Sequence, residues 1–188
     1  MKLFRTFICA AIVCTQGAIA NEQSSTLSRP TNMGWKTSSN ELRSAAIRLF
    51  RLHNEKRKEF GNDVQFTCLS KSLTKIAEDH SFYQIKNGFS ASDVPGSLFD
   101  DRCARIPFRS ACAENLAGGR PLLQPETMIN NWMNNDVQRS AITKAKYDTV
   151  GFGIVQDPQT KKYWTTAFFA RGGRTANPAD CINLNGVA

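Results

Sequence analysis

The spacing of hydrophobic residues along this chain marks out its elements. From Asn40 onward Leu42, Ala45, Ala46, Leu49, Leu52 and His53 recur at steps of three and four, the stripe of an amphipathic helix. Asn40 is placed to cap its start and Gly61 to follow its end. After a short extended piece, "VQF", the same spacing returns in Leu69, Leu73, Ile76, Ala77, His80 and Tyr83, which predicts a second helix over about 70–87 stopped by Gly88. Pro125 stands where a first-turn proline belongs, and Met128, Ile129 and Trp132 give the third helix its inner face. "DVQRSAI" adds a further turn or two. The period then becomes two. "TVGFGIVQD" and "KYWTTAFFA" alternate around the turn-rich "DPQTK", predicting a β-hairpin. Gly151 and Gly153 share one face of its first strand, which predicts a helix packed close against them.

Between these elements lie "AENLA", a short strand or strand-like turn ending at Gly118-Gly119, and a long irregular stretch from Phe89 to Cys112. Loops of that length in a compact domain are functional or stapled. Residues 21–39 are polar and aperiodic, a flexible lead-in. From Arg171 the chain is a polar tail with only Cys181 as an anchor. Helices that flank a small antiparallel sheet make an α+β layered domain over residues 40–170, with the tail at 171–188.

The first twenty residues change how the cysteines are read. Lys2 and Arg5 precede the apolar run from Phe7 to Cys14, and Ala18-Ile19-Ala20 forms an A-x-A cleavage site. This is the pattern of a secretory signal over residues 1–20, too short for a membrane span. Its removal takes Cys9 and Cys14 and leaves Cys68, Cys103, Cys112 and Cys181. An even set in an oxidising compartment predicts two disulfides, with three possible pairings. Cys103 with Cys112 is favoured as a short local loop, leaving Cys68 to pin the tail at Cys181. A zinc site has neither C-x-x-C spacing nor adjacent histidine to support it. The net charge of +8 becomes +6 without Lys2 and Arg5. The remaining basic residues are scattered through the sequence, so a nucleic-acid stripe is not expected.

The ordered set "LHNEKRKEFG", "LTKIAEDHS", "GFSASDVPGSLFDDR", "AENLAGG", "NWMNNDVQRSAI", "YDTVGFGIV" and "YWTTAFF" resembles the SCP/CAP domain of cysteine-rich secretory proteins, venom antigens and plant pathogenesis-related proteins. The resemblance runs from about Leu42 to Phe169 and implies a three-layer α-β-α sandwich. It also implies a cleft of two histidines and two acidic residues, which in some members holds a divalent metal. Glu114 matches one acidic position. Ala91 and Gln138 stand at the expected histidines, and Asn135 at the second acid. One carboxylate cannot hold a transition metal, so no metal, cofactor or catalytic residue is assigned. Glu114 is expected to serve structurally, capping backbone N–H groups or pairing with a basic residue such as Arg139, with Asn115 tying down the loop.

The expectation is therefore a secreted, non-enzymatic SCP/CAP-like protein that binds an extracellular protein, glycan or lipid and has no transmembrane segment. His53, Phe89, Phe99, Phe108 and Arg109, with Phe82 and Tyr83, are the candidate binding residues around the long loop. His53 and His80 both lie on helix stripes that face the core, where packing is their ordinary role. Two alternatives follow from the resemblance. Sterol or fatty-acid binding lacks the aromatic loop its eukaryotic members carry, since "WMNN" passes almost directly to "QRSAI". A metal-assisted hydrolase or protease lacks the donors.

Overall fold

The computed structural model describes residues 40–62, 65–106, 111–171 and 178–184. The signal segment, the lead-in, Phe108 and Arg109 lie outside the described residues. Five helices are present among them: α1 (Asn40–Glu59), α2 (Lys71–Asn87), α3 (Phe99–Ala104), α4 (Pro125–Met133) and α5 (Asp136–Thr143). The strands are β1 (Cys68–Leu69), β2 (Cys112–Arg120), β3 (Thr149–Gln156) and β4 (Tyr163–Ala170), in the sheet order β1-β3-β4-β2. The sheet is mixed. β2, β4 and β3 are antiparallel neighbours, and the two-residue β1 adds a parallel pair to β3. Two residues are too few for any hydropathy period to announce β1. Six-residue α3, inside the stretch read as irregular, is equally brief.

Helix ends follow local chemistry. Ser70 caps α2 by accepting from the Leu73 amide at 3.1 Å, and Gly88 closes it at φ +74°, a left-handed conformation that glycine adopts without a Cβ penalty. The alternation of β3 then sorts the layers. Val150, Phe152 and Ile154 pack with Ala167 and Phe169 against α1, α4 and α5. On the opposite face Phe168 meets Leu73, Ile76 and Ala77 of α2. Gly151 and Gly153 lie between the apolar positions of β3 and admit the α2 backbone at contact range.

His53 is completely buried in the first of these layers. Phe152, Trp132, Phe169 and Phe66 surround it with ring centroids 4.9, 5.6, 5.7 and 6.3 Å away. It is a core residue, as its helix stripe predicts, and its place among the candidate binding residues is corrected. Arg57 is also fully buried and donates to the carbonyls of Ile142 and Tyr147, closing the end of α5 from a distant helix.

Both favoured cystine pairings are formed: Cys68–Cys181, closing 113 residues, and Cys103–Cys112, closing nine. The tail has more anchors than its cysteine. Asp180 accepts from the Ser70 and Ser72 hydroxyls and the Ser72 amide, a carboxylate at the start of α2, and the Ile182 amide donates to Leu69. Ile182 joins the main core.

Glu78, whose backbone faces Gly153, is only 6% exposed, and its Oε2 has no hydrogen-bond partner among the described residues. Burial pushes its carboxyl up to about 7, with Lys75 pulling down and Asp79 adding a smaller upward push. A raised acid favours the fold below its unfolded value of 4.5, and the advantage is lost as pH rises through 7. Glu78→Gln is therefore expected to raise stability by about 2 kcal/mol at pH 8 and to change little at pH 4. Urea melts at the two pH values check this, and an equal effect at both contradicts it.

Candidate binding cleft

β2 is an edge strand, and a cleft of about 600 Å³ runs along its first residues. Its lining comes from Ser92, Asp93 and Phe99 of the loop and α3, from Cys112, Ala113 and Glu114 of β2, and from Asp136, Val137, Ser140, Ala141, Lys144 and Tyr147 of α5 and the turn after it. Strand alternation explains why Glu114 and Asn115 part company. Glu114 pairs in register with Phe168, which faces α2, and Asn115 with Ala167, which faces the other layer. Asn115 is 1% exposed and donates to the Gln138 carbonyl at 3.0 Å, fastening α5 to β2.

The partner of Glu114 is Arg102, not Arg139. Its Nη2 donates to Glu114 Oε2 at 2.6 Å, with both side chains no more than 3% exposed. Arg102 also donates to the Ser97 carbonyl at 2.6 Å, the Ser97 hydroxyl at 3.1 Å and the Ser92 carbonyl at 2.8 Å. Arg139 instead pairs with Asp136 at 2.5 Å and donates to the Met133 carbonyl. The Cys103–Cys112 cystine accounts for the difference, because it ties the residue after Arg102 to the start of β2, two positions before Glu114. Arg102 carried no periodic signal. Its adjacency to a cysteine paired near Glu114 was the one clue available.

Burial pushes the Glu114 carboxyl up, opposed by the charge and hydrogen bond of Arg102 and a weaker pull from the Ser92 hydroxyl, while Asp93 pushes it up further. Oε1 has no hydrogen bond of ordinary geometry among the described residues. His80 comes near it, with Nε2 3.9 Å from Oε1, but both ring nitrogens are in use. Nε2 lies 3.0 Å from the Ala91 carbonyl, which can only accept, so Nε2 carries the proton. Nδ1 then accepts from the Ser97 hydroxyl at 2.9 Å.

The other positions singled out have structural work. Asn135 caps α5, its Oδ1 accepting from the Val137 and Gln138 amides at 3.1 Å each. Ala91 contributes a methyl group and its carbonyl. Phe99 lines the cleft and packs on Phe168, whereas Phe89 is 47% exposed and is not among the lining residues. Among the described residues no group of three or more His, Cys, Asp or Glu side chains could hold a metal ion. A metal of the kind the resemblance implies does not fit here. Zinc needs three or four donors, and Glu114, the carboxylate at the family's position, already shares an oxygen with a guanidinium.

The chain matches the sequence profile of the cysteine-rich secretory protein family over residues 50–168. No curated protein matches it by sequence. Among solved structures, an extracellular protein containing an SCP domain from Bacillus anthracis has a TM-score of 0.58 at 19% identity, over 69% of this chain and 41% of that one. An outer surface protein from Borrelia burgdorferi gives 0.60 at 18% identity, over 74% and 98%. A cysteine-rich secretory protein from Staphylococcus aureus gives 0.52 at 22% identity, over 76% and 40%. This chain thus spans about two fifths of the Bacillus and Staphylococcus proteins and nearly all of the Borrelia one, and at these identities the likeness is one of fold. With the profile covering more than half of the chain and the layered fold shared with these structures, the protein belongs to the cysteine-rich secretory protein (CAP) family.

Proposed function

We propose that the protein is a secreted, non-enzymatic binding protein that receives part of an extracellular protein, glycan or lipid in the cleft along β2. The observation that carries this is the state of Glu114. The one acidic residue matching the family cleft is held by buried Arg102, while about 600 Å³ of open space lies beside it. General acid–base work needs a group with a matched pKa in reach of the reacting atom, and the nearest candidate, His80, has both nitrogens engaged. Secretion is supported by the two cystines and by fold neighbours described as extracellular or outer surface proteins.

The test is an assay of the secreted protein against ester, peptide and phosphodiester substrates, with and without added zinc, beside Glu114→Gln. The expected result is no turnover that depends on Glu114 or on zinc. Zinc-stimulated hydrolysis abolished in Glu114→Gln would overturn the proposal.

A further inference from the structure

The outer edge of β2 is closed at both ends and open at Glu114. In an antiparallel pair, successive residues turn their main-chain groups alternately toward the partner strand and away from it. The Arg171 amide donates to the Ala111 carbonyl, in the register that pairs Ala113 with Phe169 and Asn115 with Ala167. The main-chain groups of Cys112, Glu114 and Leu116 therefore face away from β4, and β2 is the last strand of the sheet among the described residues. The Cys112 carbonyl accepts from the Tyr147 hydroxyl at 3.2 Å, and the Leu116 carbonyl from the Trp132 indole at 3.0 Å. Between them the amide and carbonyl of Glu114 have no partner among the described residues. Their surface is accessible. The Glu114 side chain is 3% exposed while the residue as a whole is half-buried, so what solvent reaches is main chain. The cleft of about 600 Å³ lies over this stretch.

We propose that the cleft binds an extended polypeptide segment, which adds to β2 as an antiparallel strand with one residue exchanging both main-chain hydrogen bonds with Glu114. This deepens the function proposed above, by naming the occupant of its cleft, and rests on it. One residue of an extended chain presents a carbonyl and an amide at the spacing that the Glu114 pair requires. A hydrocarbon chain supplies neither group. A second copy is not the occupant, because paired strands lie about 4.8 Å apart and its own β2 is set in the same cleft. The two layers dictate the side chains. Opposed residues of a ladder share a face, so the residue opposite Glu114 points toward the α2 layer, where Phe99 packs. Its two neighbours point toward the layer that holds Ala141 and Tyr147. Val137, 80% exposed on α5, gives those neighbours apolar area to cover. Of the charged lining residues, Glu114 pairs with Arg102 and Asp136 with Arg139, while Asp93 and Lys144 are opposite in sign. The matching segment is uncharged, with an aliphatic residue on each side of a central one.

The experiment is amide hydrogen exchange with chemical-shift mapping on the mature, oxidised protein. The probes are the capped peptide acetyl-TVTVT-amide and two N-methylated forms of it. In the free protein the Glu114 amide is expected to exchange about tenfold faster, or more, than those of Ala113 and Asn115, which face β4. Saturating peptide is expected to shift Ala113, Glu114 and Ser140 and to slow exchange at Glu114 by about tenfold. N-methylation of the central threonine removes the donor to the Glu114 carbonyl and is expected to weaken binding about tenfold. N-methylation of both valines, whose amides point away from β2, is expected to change it by no more than about threefold. Val137→Ser is expected to weaken binding about threefold with an unchanged melting temperature, since the side chain it removes is exposed. Equal affinity of the parent and N-methylthreonine peptides overturns strand addition while the binding cleft stands. A Glu114 amide as slow as its neighbours in the free protein shows an edge already covered and also overturns it. So does the lack of any cleft shift, whereas the proposal of a non-enzymatic protein falls only to the hydrolysis assay.

Discussion

Gly153→Ala is expected to destabilise the protein by about 4 kcal/mol or more, enough to unfold a marginal domain. A Cβ at this position meets the Ala77 carbonyl carbon and the Glu78 amide nitrogen, each at 2.1 Å, and both belong to helix backbone. No rotamer change relieves that contact. Either α2 retreats from the sheet by more than an ångström or the strand bends, and both open the packing of Leu73, Ile76 and Ala77 on Phe168. Overpacking in cores typically costs 1–3 kcal/mol when side chains can adjust, and here they cannot. Gly61→Ala separates this effect from the general cost of losing a glycine. Gly61 has φ +69° and nothing within 4 Å of an added Cβ, so its variant is expected to lose only about 1 kcal/mol through backbone strain. Chemical denaturation of the two variants beside the parent makes the comparison. Equal losses would mean that α2 does not press on β3 as described.

The second large effect is acid unfolding driven by two buried histidines. Burial lowers His53 from 6.5 to about 3, against its hydrogen bond to the Leu49 carbonyl and with a small further push from Arg57. His80 is lowered to about 4 by burial and by Arg102, with the Ala91 carbonyl and Asp93 opposing. A depressed histidine stabilises the fold above its unfolded value of 6.5, and that contribution is lost as pH falls through the folded value. Together the two are worth on the order of 5 kcal/mol between pH 6.5 and pH 3, comparable with the whole stability of a small domain. Glu78 works in the opposite direction over part of this range, gaining as pH falls from 7 toward 4.5. The expected profile is therefore a shallow decline from pH 6.5 to about 4.5 and a steeper one below. Glu78→Gln removes the compensation and steepens the upper part, and His80→Gln flattens it. Melting temperatures taken every half unit resolve the two limbs. A flat profile down to pH 4 would mean that the buried imidazoles are not the acid-sensitive groups.

The sequence placed Glu114 in the cleft but not the chemistry around it. Glu114 stood out because a carboxylate among small and apolar neighbours is costly to bury without a partner. The sequence leaves it either to cap backbone N–H groups or to pair with a basic residue such as Arg139, and the structure gives Arg102. Ala91, Asn135 and Gln138 were found by pattern, and their work is to accept from His80, to cap α5 and to receive Asn115. Asp93, Asp136, Lys144 and Tyr147 were not marked at all. They come from a loop, from α5 and from the turn after it, and no local period ties such residues to one another.

By itself the sequence determined the long helices, the hairpin and the close approach at Gly151 and Gly153, and it favoured one of three possible cysteine pairings. These depend on periodicity, small residues and short loop closure, all of which act over a few positions or along one face. Only the tertiary structure decided that Ile182 and Asp180 dock the tail and that Arg102 is the cation paired with Glu114. Those outcomes depend on distances of a few ångströms between segments far apart in the chain or inside an irregular loop. Burial sets their energies, and a linear pattern does not contain it.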